Sequence, residues 1–130
     1  MYKIEKKDYG FKLIFTDFIK AEELNQWLAE SNKLLINTSK EFGVLIDMRM
    51  LKPLPQDSQK IMEEGQKIYK ERGMNRSAVI LNSAVIIMQF KRIAAESGIY
   101  SWERYIDASK NVNWEKIGVD WIRNGIDPDK

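Results

Sequence analysis

The chain has 130 residues, of which 44% are hydrophobic, and 21 basic and 19 acidic residues leave it a net charge of +2. These values predict one domain, spanning residues 1–130, with a buried core, and they argue against global disorder. Basic and acidic residues are interleaved along the helical segments, which is typical of solvated surfaces and does not indicate a nucleic-acid binder.

Cysteine and histidine are both absent from the sequence. Their absence excludes disulfides, thiol nucleophiles, histidine general bases and the usual structural zinc sites, so we expect no cofactor, no metal and no enzyme activity. The charged N-terminus has no apolar signal core, and no apolar run approaches the roughly 20 residues that a bilayer span needs. We therefore expect a soluble, cytoplasmic protein.

The first half of the chain predicts two strands, a helix and a third strand. Residues 2–8 and 11–18 are expected to pair as a hairpin across the turn signal Asp8-Tyr9-Gly10. Helical spacing begins near Ile19 and predicts a helix that ends within residues 37–40. Residues 42–50 then predict a buried central strand, which leads into the proline-broken loop 51–58.

The second half alternates helices and strands. Residues 56–72 predict a helix capped by Asp57 or Ser58, residues 77–81 a strand, and Asn82-Ser83 the start of a third helix. An aromatic-rich strand is expected at residues 100–106, followed by a last helix around residues 114–122 and a frayed tail at 124–130. The order ββαβαβαβα predicts an α/β fold: a mixed, mostly parallel sheet of about five strands with four helices.

Three stretches in the last part of the chain carry a family resemblance. Asn75-Arg-Ser-Ala-Val-Ile-Leu81 leads directly into a helix, and Trp102-Glu-Arg-Tyr-Ile-Asp107 and Asn113-Trp-Glu-Lys-Ile-Gly-Val-Asp-Trp-Ile122 follow it. Together with the element order and the length, they resemble the SpoIIAA-like branch of the STAS domains. The resemblance covers nearly the whole chain and implies a single STAS-like domain, related in fold to the lipid-carrying Sec14 proteins.

The resemblance also implies a candidate modification site. Anti-sigma factor antagonists of this fold carry a phosphorylatable serine at the start of the helix after the central strand, in an Asp-Ser-Ser-Gly setting. Asp57-Ser58 matches the beginning of that motif, whereas Gln59 and Lys60 replace its second serine and its glycine. Ser58 is therefore the phosphorylation candidate, and helix capping by Ser58 or Asp57 is the interpretation that these residue types favour.

Polar residues at the ends of the strands form a candidate binding site. Asp47 and Arg49 lie near the carboxyl end of the central strand, where α/β folds place ligands, although a structural salt bridge explains them more simply. Leu51 and Leu54 flank a rigid proline loop that we expect to be exposed as a contact surface, because rigid loops lose less entropy on binding. The full set of predicted binding residues is Asp47, Arg49, Leu51, Leu54, Asp57, Asn82 and Ser83.

Methionines and one phenylalanine suggest an apolar pocket, because methionine adapts to irregular cavities. The predicted lining is Met48, Met50, Met62 and Phe90, and ordinary core packing is the alternative that we prefer. Two functional hypotheses remain open. One is a non-enzymatic interaction module that docks a protein partner, or itself as a homodimer, through the loop after the central strand. The other is a carrier or sensor of an apolar small molecule or lipid.

Overall fold

The computed structural model describes residues 1–38 and 40–130, and every side chain in these ranges except that of Ile93. In this part of the chain, five strands form one sheet in the order β1-β2-β3-β4-β5. The strands are β1 (Tyr2–Lys7), β2 (Gly10–Asp17), β3 (Phe42–Leu51), β4 (Met74–Leu81) and β5 (Glu103–Asp107), and the helices are α1 (Ala21–Ile36), α2 (Gln56–Glu71), α3 (Ala84–Ser97) and α4 (Trp114–Asn124). β1 is antiparallel to β2, and all other neighbours are parallel. The predicted fold class and element order are therefore confirmed.

Some predicted boundaries were wrong. β4 begins at Met74, three residues earlier than expected, and the predicted strand at 100–106 splits in two. Its first part is a 3₁₀ turn at Ile99–Ser101, in which the backbone N–H groups of Ser101 and Trp102 donate to carbonyls three residues back. Those donors are used locally and cannot join a strand ladder. α1 ends at Ile36, and Ser39 of its predicted end lies outside the described residues.

The N-terminal hairpin is attached to the central strand by an unusually close backbone approach. Gly10 has a φ of +144°, and a Cβ placed on it would lie 2.0 Å from the carbonyl oxygen of Gly43 in β3. Only glycine accepts both the conformation and the contact. Beyond Gly10, alternate residues of β2 (Phe11, Leu13 and Phe15) are buried, as a strand with one covered face requires.

The sheet has helices on both faces. α1, α2 and α3 pack on the face that carries Val44 and Ile46, and α4 packs on the face that carries Leu45, Ala78 and Ile80. Both faces of β3 are thus covered, which explains why Val44, Leu45 and Ile46 are apolar in succession. All four helices begin where a strand has just ended, so their N-termini lie at the carboxyl edge of the parallel strands.

The C-terminal tail is held in place rather than frayed. Asp127 forms a two-pronged ion pair with Arg104 (2.9 and 3.1 Å), and Asp129 pairs with Lys91 and hydrogen-bonds to the hydroxyl of Tyr100. Lack of regular structure led to the wrong prediction, because these partners on α3, the 3₁₀ turn and β5 are distant in sequence.

Candidate functional site at the carboxyl edge of the sheet

The ends of neighbouring strands are joined by hydrogen bonds into a continuous edge. Lys52 N–H donates to the carbonyl of Asp17 (3.1 Å), which links the ends of β3 and β2. The Asn82 side chain donates to the carbonyl of Arg49 (3.3 Å), which links the start of the β4–α3 loop to β3. Ala108 N–H donates to the carbonyl of Leu81 (2.8 Å) and links β5 to β4. The predicted binding residues Arg49 and Asn82 are therefore brought into contact.

Asp47 and Arg49 form a closed ion pair. The guanidinium of Arg49 donates twice to the carboxylate of Asp47, at 2.9 Å each, and the backbone N–H of Arg49 adds a third bond. The Arg49 guanidinium also lies 4.1 Å from the ring centre of Trp114 in α4. Its hydrogen bond to Asp47 raises the pKa of Arg49, so the guanidinium stays charged. The arrangement ties β3 to α4 and engages both carboxylate oxygens of Asp47.

The proline loop differs from its prediction. Leu51 and Leu54 are partly buried and pack against the core, so they are not an exposed contact surface. The side chains that the loop exposes are those of Lys52, Pro53 and Pro55. Both leucines pack against the apolar cluster that also contains Leu24, Trp27 and Met62.

Asp57 and Ser58, which were predicted to cap α2, do not occupy its N-cap position. α2 begins at Gln56 with Pro55 at its N-cap, so Asp57 and Ser58 belong to the first turn and neither is the cap. Asp57 instead accepts from the backbone N–H of Ser58 (2.9 Å). Ser58 is fully buried, and its hydroxyl donates to the carbonyl of Ile19 (3.3 Å). The hydroxyl is thus shielded from solvent in the folded chain, which argues against phosphorylation of Ser58.

The four residues predicted to line an apolar pocket do not form one in the described part of the chain. Met48 and Met62 are buried in the core, whereas Met50 is 63% exposed and Phe90 packs its ring on Tyr105. The core cavity that Met62 lines has a volume of about 10 Å³. That is room for about one water molecule, and core packing explains Met48 and Met62.

The largest unexpected feature at this edge is the surface of α3. Ser83 caps the helix by accepting from Ile86 N–H (3.3 Å), as the predicted helix start at Asn82-Ser83 requires. In the first two turns of α3, the side chain of Ile87 is buried, whereas Val85 is 66% exposed and Met88 is 71% exposed. The sequence does carry the signal, because between Ala84 and Phe90 the only polar residue is Gln89. A helix that is apolar all round needs cover on every side.

A buried carboxyl in β5 was also missed. Glu103 is 4% exposed, and it accepts from the hydroxyls of Ser77 (2.7 Å) and Tyr105 (2.6 Å). Burial raises the pKa of Glu103, and the two hydroxyl bonds offset part of that rise. The sequence indicates the burial of Glu103 only through its spacing, because Glu103 and Tyr105 are two positions apart and so lie on one face of a buried strand. Glu103 also lines the water-sized core cavity.

The described residues contain no group of three or more acidic side chains arranged to hold a metal ion. None of their helices has the length and apolar character needed to cross a membrane.

Comparison with known proteins identifies the fold. No protein-family model matches the sequence, and no curated protein is significantly similar to it. A solved structure does match: an uncharacterized protein of the DUF3478 family with a SpoIIAA-like fold from Shewanella loihica PV-4, with a TM-score of 0.66 and 14% sequence identity. The match covers 94% of this chain and 92% of that one. Similarity over this length at such low identity concerns the fold, and the chain therefore has the SpoIIAA-like fold of the STAS domains.

Proposed function

We propose that this chain is a non-enzymatic STAS-like interaction module that docks a protein partner at the carboxyl edge of its sheet. The observation that carries the proposal is the exposed apolar surface of α3, formed by Val85, Ile86 and Met88. The start of α3 lies beside the end of β3, because Asn82 bonds to the backbone of Arg49. The docking surface thus adjoins the loop after the central strand and is centred on the helix that follows β4.

Physical chemistry supports a contact here. Neighbouring exposed apolar side chains on one helix are unusual on a protein that acts alone, and they are typical of interaction sites. Covering the exposed parts of Val85 and Met88 would contribute about 1–2 kcal/mol each. The prolines at 53 and 55 restrict the adjacent loop, which lowers the entropy lost on docking. A second copy of the chain is the simplest partner, and another protein with an apolar surface is the alternative.

Self-association and site-specific crosslinking test the proposal. Sedimentation equilibrium should show a concentration-dependent dimer that the double variant Val85→Glu/Met88→Glu abolishes. The control is Ile36→Glu, which places one glutamate on a 64% exposed apolar side chain at the end of α1. If the wild type stays monomeric, a photoreactive amino acid at position 85, introduced in the native host, should crosslink to another protein. The same group at position 36 should not. No dimer and no crosslink specific to position 85 would refute the proposal.

The alternative function, a carrier of an apolar small molecule or lipid, finds less support. A carrier needs an internal volume of several hundred Å³, whereas the core cavity among the described residues measures about 10 Å³. Native mass spectrometry of the protein purified from its host would revive this alternative if it revealed a retained lipid-sized adduct.

A further inference from the structure

The first strand of the sheet has a free edge. β1 is the outermost strand beside β2, and its side chains Lys3, Lys6 and Lys7 are exposed. β5, at the other end of the sheet, differs from it because Glu103 and the three residues after it are buried. An edge strand presents backbone N–H and C=O groups with which another strand can pair.

The hydrogen-bond pattern of the hairpin shows which backbone groups of β1 face outward. Met1 and Thr16 exchange both backbone hydrogen bonds, at 3.0 and 2.9 Å. Pairs of this kind alternate along an antiparallel ladder, so Lys3, Glu5 and Lys7 bond to β2. The N–H and C=O groups of the even-numbered residues between them therefore face away from the sheet.

We propose that β1 pairs with β1 of a second copy of the chain, antiparallel and centred on Ile4. In this register, Ile4 lies opposite the partner's Ile4, and Tyr2 lies opposite the partner's Lys6. All these residues direct their N–H and C=O groups outward, so each group meets a complementary one. Between them, Lys3 lies opposite the partner's Glu5, and Glu5 lies opposite the partner's Lys3.

The charges of β1 select this register among the possible ones. A shift by one residue would place outward-facing backbone groups opposite inward-facing ones. Centring the contact on Lys3, Glu5 or Lys6 would place each of these side chains opposite its own copy. Like charges directly opposite each other destabilise a pair of strands, whereas opposite charges stabilise it. Only centring on Ile4 opposes the charges of Lys3 and Glu5 across the contact.

The local charge allows two such edges to meet. The ionic groups on and around β1 are nearly balanced: the amino group of Met1, Lys3, Lys6, Lys7, Lys12 and Arg123 are basic, and Glu5, Asp8, Glu23, Glu30 and Glu115 are acidic. Most of them form ion pairs within one copy, such as Lys3 with Glu5 at 3.1 Å. The small excess of positive charge on each copy causes little repulsion.

This contact is separate from the docking surface on α3. α3 lies at the other end of the sheet, where Phe90 packs on Tyr105 of β5. Only the 6 residues of β1 take part in each copy, so the contact is smaller than a typical stable interface. We therefore expect a Kd of roughly 1 mM. Sedimentation at micromolar concentrations then reports on α3, and the failure of either proposal leaves the other standing.

Cysteine trapping tests the pairing, because the chain has no cysteine of its own. Lys3→Cys and Glu5→Cys, one of them labelled with a heavy nitrogen isotope, are mixed at a concentration near the expected Kd and oxidised. Mass spectrometry then distinguishes the mixed disulfide from the two like disulfides. In the proposed register the mixed pair has Cα atoms about 4.5 Å apart, which a disulfide can span. Like pairs lie diagonally, about 7–8 Å apart, so the mixed disulfide should form roughly tenfold faster.

Two further pairs of variants provide the controls. Lys67→Cys with Glu63→Cys, at exposed positions of α2, should give mixed and like disulfides without preference. Lys6→Pro, added to both β1 cysteine variants, should slow the mixed disulfide by roughly tenfold, because proline lacks the outward N–H. Proline is tolerated at a free edge, and circular dichroism verifies that each variant is folded.

Three results of the trapping experiment would overturn the proposal: no mixed disulfide, equal rates for mixed and like disulfides, or no effect of Lys6→Pro in folded protein. A photoreactive amino acid at position 3, introduced in the native host, distinguishes the possible occupants. A crosslink between two copies of the chain supports the proposal. A crosslink to a different protein instead would assign the edge to a strand of that protein, and the self-pairing would be wrong.

Discussion

The buried carboxyl of Glu103 makes a quantitative prediction about stability and pH. Glu103→Gln removes the ionisable group while it keeps nearly the same side-chain volume and a partner for the hydroxyls of Ser77 and Tyr105. In the folded chain, burial raises the pKa of Glu103 above its reference value of 4.5, and no basic side chain contributes to that shift. Folding therefore favours the protonated form, and the glutamine variant separates this effect from side-chain packing.

The sign and size of the effect follow from proton linkage. Between pH 4.5 and the raised folded pKa, the native state holds a proton that the unfolded chain has released. The contribution of Glu103 to stability is thus fully present below pH 4.5 and is lost as the pH rises through the folded pKa. In that window the free energy of unfolding of the wild type should fall, relative to Glu103→Gln, by up to about 1.4 kcal/mol per pH unit.

Urea denaturation followed by tryptophan fluorescence measures this difference at a series of pH values from below 4.5 to neutrality. The free energies come from linear extrapolation to water. Glu64→Gln is the matched control, since it makes the same substitution on the exposed surface of α2 and should follow the wild type. If the curves for the wild type and Glu103→Gln run parallel over the whole range, the reasoning about this buried carboxyl is refuted.

Three further substitutions test the packing of the chain by the same denaturation assay. Gly65→Ala should lower the free energy of unfolding by about 1–2 kcal/mol, because a Cβ there would lie 2.2 Å from ring atoms of Trp27, and overpacking outweighs the better helix propensity of alanine. An unchanged or higher stability would show that the two helices can separate at no cost. Asp127→Asn should flatten the loss of stability as the pH falls from 3.8 toward 2, because the ion pair with Arg104 lowers the pKa of Asp127 to about 2, and a lowered pKa stabilises only above that window. If the free energy of unfolding falls equally in the wild type and in Asp127→Asn over this pH range, the tail is not held by this pair. Ser58→Ala should cost about 1 kcal/mol by removing a buried hydrogen bond, and incorporation of phosphate at Ser58 in the folded wild type would contradict its burial.

Much of the element order follows from local residue patterns. The change from alternating to helical spacing near Ile19 places the end of β2, and the short apolar run at residues 44–46 places the central strand. These signals arise between residues a few positions apart, so they survive without knowledge of the rest of the fold. The candidate site was less accessible to such reasoning. A structural salt bridge was the simpler interpretation of Asp47 and Arg49, whereas the bond from Asn82 to the backbone of Arg49 joins residues 33 positions apart and was not predicted.

By itself, the sequence determined the class of fold, the order of its elements and the absence of histidine and cysteine chemistry. The tertiary structure decided which side chains face water. The buried hydroxyl of Ser58 donates to the carbonyl of Ile19, which is 39 residues away in sequence. The tail is held by the ion pair between Arg104 and Asp127, which are 23 residues apart. Glu103 lies in the core for the same reason, since its hydroxyl partner Ser77 is 26 residues away. Periodicity is a property of neighbours in sequence, whereas burial is a property of neighbours in space.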